Sequence, residues 1–237
     1  MPNNYFHFKQ FSIYQDKCAM KVCTDACILG AWTAMKGQSF SIKNILDIGC
    51  GTGLLSLMLA QKINATIDAI EINNAAAQQA AENIAASPWP DRINIVQSSI
   101  QDLKTITKYD LIICNPPFYE DDLRSNDKDR NAAKHDTALR FEELLASIKE
   151  NLNEEGIAVV LLPFHRTAYF EATAKEQLLF IQEKLLIKQT PKHDHFRSII
   201  LLSSKFHDEP TVNELIIHDE QRNYTEEFKD LLNDYYQ

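Results

Sequence analysis

The chain has 237 residues, 45% hydrophobic and 24% charged, with a net charge of −9. This is the balance of a globular protein and argues against disorder, collagen-like repeats and coiled coil. No apolar run approaches the roughly 18–20 residues of a membrane span, and Met1-Pro2-Asn3-Asn4-Tyr5-Phe6-His7 carries no signal-peptide pattern, so a cytoplasmic protein is expected.

In chain order, residues 5–14 read as a short strand or extended arm, and Thr24-Asp25 as an N-cap opening a helix through Trp32. From residue 44 a strand–helix alternation begins, the mark of a mostly parallel α/β sheet. Strands are expected at 44–48, 65–71, 93–97, 109–114, 157–162, 181–189 and 198–204. Helices are expected at 54–61, 73–86, 141–152, 165–179 and 224–236, and residues 119–136 read as a charged loop. With no linker or repeat, a single domain over 1–237 is expected: an N-terminal arm and helix over 1–40 and a core over 41–237. The five cysteines form no C-x-x-C pair, so neither a disulfide framework nor a metal is expected.

Only six glycines are present, and three fall in Asp47-Ile48-Gly49-Cys50-Gly51-Thr52-Gly53, at a strand-to-helix turn. Glycines there let the backbone pass close under a ligand. The G-x-G-x-G spacing differs from the dinucleotide fingerprint, and Glu71 ends the next strand, where a carboxylate accepts from ribose hydroxyls. With no cation nearby for a pyrophosphate, a nucleoside such as S-adenosylmethionine fits better. After the fourth strand comes Asn115-Pro116-Pro117-Phe118-Tyr119. Its prolines remove N–H donors, leaving carbonyl and amide acceptors beside an aromatic ring. That combination suits a planar group bearing –NH₂, either a nucleobase amine or a carboxamide.

Together these motifs resemble the Rossmann-like, S-adenosylmethionine-dependent amino-methyltransferases. Phe8-Lys9-Gln10-Phe11, Cys18 to Asp25, Leu29-Gly30-Ala31-Trp32, Ser87-Pro88-Trp89 and Asn223-Tyr224-Thr225-Glu226 narrow the resemblance to the bacterial valine-tRNA adenine-N6 methyltransferases. The resemblance spans nearly the whole chain. It implies a mostly parallel twisted sheet with helices on both faces and an antiparallel strand near the C-terminus. It also implies methylation of the adenine just 3′ of the anticodon, by a protein expected to act as a monomer on tRNA.

By the same resemblance, Thr24 and Asp25 lie against the cofactor as a lid, with Asp47, Gly49, Gly51, Gly53, Glu71, Ser99 and Ile100 on the cofactor side. Asn115, Pro116 and Phe118 act on the target amine. Pro117, Tyr119, His135 (in Ala133-Lys134-His135-Asp136), Lys192 and Arg197 face the RNA. Two departures stand out. Ser99 replaces the usual Asp at the end of the third strand, so either Ser99 or Asp102 accepts from the cofactor adenine. Cys23-Thr24-Asp25-Ala26 replaces Gly-Thr-Asp-Gly, which stiffens the lid.

Other substrates use the same loop: rRNA adenine-N6 or guanine-N2 amines, and a release-factor glutamine. A non-catalytic RNA-binding protein on this fold is the alternative of a different class. Net charge −9 is unusual for an RNA binder. Residues 1–21 are net +2 and residues 184–197 net +3, so an RNA-binding reading expects these two segments to converge near Asn115.

Overall fold

The computed structural model describes residues 3–18, 21–103, 105–116 and 140–237. The expected N-terminal arm is a hairpin of β1 (Tyr5–His7) and β2 (Ser12–Tyr14), antiparallel and separate from the main sheet. Helix α1 (Thr24–Gly37) follows. Its N-cap is Cys23, without a side-chain cap, so Thr24 and Asp25 are already inside the helix rather than capping it. One Asp25 carboxylate oxygen accepts from the Ala26 N–H at 3.1 Å and the other from Arg197.

The core alternates β3 (Asn44–Ile48), α2 (Leu54–Lys62), β4 (Thr66–Glu71), α3 (Asn74–Ala85), β5 (Ile93–Gln97), β6 (Tyr109–Cys114), α4 (Phe141–Asn151) and β7 (Leu152–Pro163). It continues with α5 (Thr167–Glu176), β8 (Phe180–Lys188), β9 (His195–Ser203), β10 (Thr211–Ile216) and α6 (Glu226–Leu232). Eight strands make one sheet in the order β10-β8-β9-β7-β6-β3-β4-β5. Strand β9 runs antiparallel to both neighbours and the remaining pairs are parallel. The expected fold class is the observed one.

Both faces of the sheet are covered, which is why its central strands read as unbroken apolar runs. In β6, Leu111 and Ile113 join the layer made by α1, α2, α6 and the hairpin. Ile112 and Cys114 join the layer made by α4 and α5. Differences from the expected elements are local. Strand β7 begins five residues early, at Leu152, and β9 begins at His195. The stretch 165–179 is a 3₁₀ turn over Phe164–Arg166 followed by the shorter α5, and the closing helix spans only Glu226–Leu232. Strand β10 was not expected, because it is an edge strand with its first four residues exposed and no apolar alternation.

The hairpin is fixed by buried amides. Asn83 on α3 accepts from the Tyr14 N–H at 2.9 Å and donates to the Tyr14 and Thr52 carbonyls. Gln79 accepts from the Lys17 N–H at 3.2 Å. Lys17 pairs with Glu82 on α3, and Lys9 reaches the Asn233 carbonyl in the C-terminal tail. The second basic segment lies on β8 and β9, in the other half of the strand order. Its cations meet acids brought in from other elements: Lys184–Glu171, Lys188–Glu214, Lys192–Glu220 and Arg197–Asp25. The cations of the second segment are thus offset by carboxylates rather than left unopposed.

Candidate active site

Ligands on open α/β sheets bind outside the carboxyl ends of the strands. Here the register aligns those ends. Ile48 pairs with Ile70 on β4 and with Cys114 on β6, and Glu71 pairs with Gln97. Gly49 and Asn115 therefore leave adjacent strands side by side, about 4.8 Å apart by strand spacing.

The glycine turn is open where a ligand would lie. Gly49 (φ 72°) and Gly51 (φ 55°) are left-handed, and a Cβ built on either would meet nothing within 4 Å. Side chains are disfavoured there by backbone strain and by the space they would take from a ligand. Gly53, also left-handed, is the N-cap of α2. Glu71, almost fully buried, pins the turn. One carboxylate oxygen accepts from the Gly51 N–H at 2.9 Å and the other from the Asn73 N–H at 2.8 Å. A carboxylate oxygen has a second lone pair, so this bracing leaves acceptor capacity for ribose hydroxyls.

Asp47 lies beneath, fully buried. Its Oδ2 accepts from the Ser56 N–H (3.1 Å) and hydroxyl (2.6 Å), while Oδ1 has no hydrogen-bond partner. Burial pushes its carboxyl up to about 7, against the lowering effect of the two Ser56 bonds. An orphaned buried carboxylate oxygen beneath an open glycine cradle fits a ligand that carries both a cationic amino group and a nucleoside, as S-adenosylmethionine does.

At the end of β5 the Ser99 hydroxyl donates to Asp102 at 2.7 Å, so both candidates for the adenine contact stand together. Having given its proton to Asp102, Ser99 keeps only acceptor capacity. Ile100 is buried in the α4–α5 layer beside Ile48 and Ile70.

Asn115 is half-buried and Pro116 buried at the end of β6. Pro117, Phe118, Tyr119 and His135 lie outside the described residues. Asp25 reaches the rim through Arg197, whose Nε donates to Oδ2 at 2.9 Å. Arg197 also lies over the Phe196 ring, 5.4 Å from its centroid. Lys192 is exposed and only loosely paired with Glu220, at 3.6 Å. Among the described residues no cluster of three His, Cys, Asp or Glu could hold a metal ion, and no helix is long and apolar enough to cross a membrane.

Sequence reasoning missed Asn83, which ties the hairpin to the Thr52 carbonyl of the glycine turn. Its only signal was an amide in an otherwise Ala-rich helix.

The methyltransferase small domain model matches residues 33–161. A tRNA1(Val) (adenine(37)-N6)-methyltransferase of Flavobacterium johnsoniae is 42% identical, covering 98% of this chain and 98% of its own. One of the same name from Phocaeicola vulgatus is 40% identical over 100% of this chain and 99% of its own. Among solved structures, a predicted O-methyltransferase from Agrobacterium tumefaciens superposes with a TM-score of 0.66 at 18% identity, covering 89% of this chain and 96% of its own. An S-adenosylmethionine-dependent methyltransferase from Clostridium acetobutylicum gives 0.54 at 13%, covering 77% and 92%. At such identities these two structures speak for the fold alone.

Proposed function

This chain belongs to the tRNA1(Val) (adenine(37)-N6)-methyltransferase family, and from that premise we infer that it methylates the exocyclic N6 amine of an adenine in tRNA, the adenine 3′ of the valine anticodon. S-adenosylmethionine supplies the methyl group, carried on its sulfonium. The observation that carries the reading is the register Ile48–Cys114, which sets the amine acceptors of Asn115-Pro116 beside the open cradle of Gly49–Gly53.

Each residue then has a task. Asp47 Oδ1 and the glycine-turn N–H groups hold the amino-acid end of the cofactor, Glu71 its ribose, and Ser99, with Ile100, its adenine. Thr24 and Asp25 close over it from the start of α1. Asn115 Oδ1 and the Pro116 carbonyl accept the two hydrogens of the target amine. That amine is conjugated into the ring and a poor nucleophile, so directing its lone pair is most of the catalysis. Phe118, flanked by Pro117 and Tyr119, stacks on the base once it has left the loop stack. His135, Lys192 and Arg197 contact the RNA. No strong base is required, because the amine proton becomes acidic once the methyl is attached. The enzyme is taken to act as a cytoplasmic monomer.

The test is incubation with total RNA from a strain lacking the protein and labelled S-adenosylmethionine, followed by nucleoside digestion. N6-methyladenosine is expected; label in N2-methylguanosine, or no label in RNA, overturns the reading.

A further inference from the structure

The carboxyl rim is divided. Under the proposed function, the ends of β3, β4 and β5 are taken by the cofactor, with Asn115 on β6 at the seam. An RNA loop must then lie across the ends of β7, β9, β8 and β10, and this half carries surface rings. Phe164, just past β7, is 37% exposed and lies 5.0 Å from the His195 ring on β9. Beyond β10 the rings stack. Tyr224, 43% exposed, is 4.5 Å from Phe228 at 21° and 4.9 Å from His218 at 24°.

The loop 218–225 is built to hold this ladder. Asp219 accepts from the Gln221 and Asn223 N–H groups, both at 2.9 Å, and Thr225 caps α6 by accepting from the Phe228 N–H. In Asn223-Tyr224-Thr225, therefore, Asn223 and Thr225 have structural work in the described loop. Tyr224 is stacked between Phe228 and His218, so the ladder presents the outer face of His218 and the exposed edge of Tyr224. Charges of both signs flank it: Arg222, and Lys192 with 75% of its side chain exposed and Glu220 3.6 Å away, beside Asp219, Glu226 and Glu227. Exposed stacked rings, continuous with a rim that receives a flipped base, suit an unpaired nucleobase.

We propose that the His218–Tyr224 ladder is a second RNA subsite, a stacking platform for a loop nucleobase several nucleotides from the methylated adenine. The proposal rests on the tRNA reading above. Four strand intervals separate β6 from β10, about 19 Å at 4.8 Å each. That distance corresponds to about six stacked nucleotides at roughly 3.4 Å per step.

The experiment is fluorescence anisotropy of the valine-tRNA anticodon stem–loop on the full chain, with S-adenosylmethionine affinity measured beside it. Tyr224→Leu keeps an apolar cover on Phe228 and removes the ring. It should weaken RNA binding about tenfold, leave cofactor affinity unchanged and raise KM rather than lower kcat. Tyr224→Phe should restore binding to within about twofold, since the platform needs the ring and not the hydroxyl. Should Tyr224→Leu fail to fold, His218→Ala carries the same expectation. Wild-type RNA affinity in Tyr224→Leu, or equal losses of RNA binding, cofactor binding and kcat, overturns the platform. A wild-type chain that binds S-adenosylmethionine but no RNA overturns the tRNA reading itself, which is a different result.

Discussion

The two halves of the carboxyl rim are built by different physics. On the β3–β4–β5 side, Asp47 and Glu71 are almost fully buried and hydrogen-bonded to backbone within the turn they serve. On the β7–β9–β8–β10 side, rings and cations sit at the surface, and each of Lys188, Lys192 and Arg197 faces a carboxylate. The first half is preorganised for one small ligand. The second suits a large polyanion, which can displace the exposed Lys192–Glu220 pair at little cost, because exposed pairs contribute only about 0–1 kcal/mol. The acidic total charge and an RNA substrate are therefore compatible.

Substitution at the seam should have the largest effect. Asn115→Ala is expected to lower kcat about 10²–10³-fold, the usual loss on removing one positioned polar group that acts in the transition state. Cofactor affinity should be intact, and single-turnover rates with separate calorimetry check both halves of that statement. Loss of cofactor binding would move Asn115 into the first half of the rim.

Next is Glu71→Ala, which should weaken cofactor binding by about 1.5–3 kcal/mol. The loss should exceed that of Glu71→Gln, because the Gly51 and Asn73 N–H groups also lose their acceptor. Calorimetry on the two variants measures the difference, while stem–loop affinity should stay unchanged.

A pH dependence confined to the cofactor half follows from Asp47. Its folded carboxyl ionises near 7, well above the usual range. In the ligand-free protein this group favours folding below about pH 4, and that contribution is lost as pH rises toward 7. A cationic amino group prefers the carboxylate, so cofactor affinity should rise with pH up to about 7, by at most about tenfold per unit, and then level off. In Asp47→Asn the dependence should vanish; a persistent slope would assign it to another group.

The smallest effect belongs to Lys192→Ala, which should lower the log–log salt slope of RNA binding by about 0.7–0.9. Equal slopes in variant and wild type would remove Lys192 from the RNA surface.

What could be read in the sequence was whatever is local. Gly49–Gly53, Glu71 and Asn115 each lie at or just past a strand end, so the strand pattern that locates them also brings them to one rim. Long-range pairings were not legible. Asn83 and Gln79 act on partners 69 and 62 residues away, and neither spacing nor composition marks a helical amide as a buried anchor. The basic appearance of residues 184–197 misled for the same reason, since Glu171, Glu214, Glu220 and Asp25 arrive from other elements. Tyr224 was visible as part of a family string, but its stacking on His218 and Phe228 emerges only when the loop closes on Asp219.

The division of the rim is tested most directly by backbone hydrogen exchange, with S-adenosylmethionine alone and with the anticodon stem–loop alone. The cofactor should slow exchange at 49–53, 71–74 and 97–102, and the RNA at 164–169, 195–197 and 218–224. RNA protection concentrated at 71–74 and 97–102, with none at 218–224, would contradict the account.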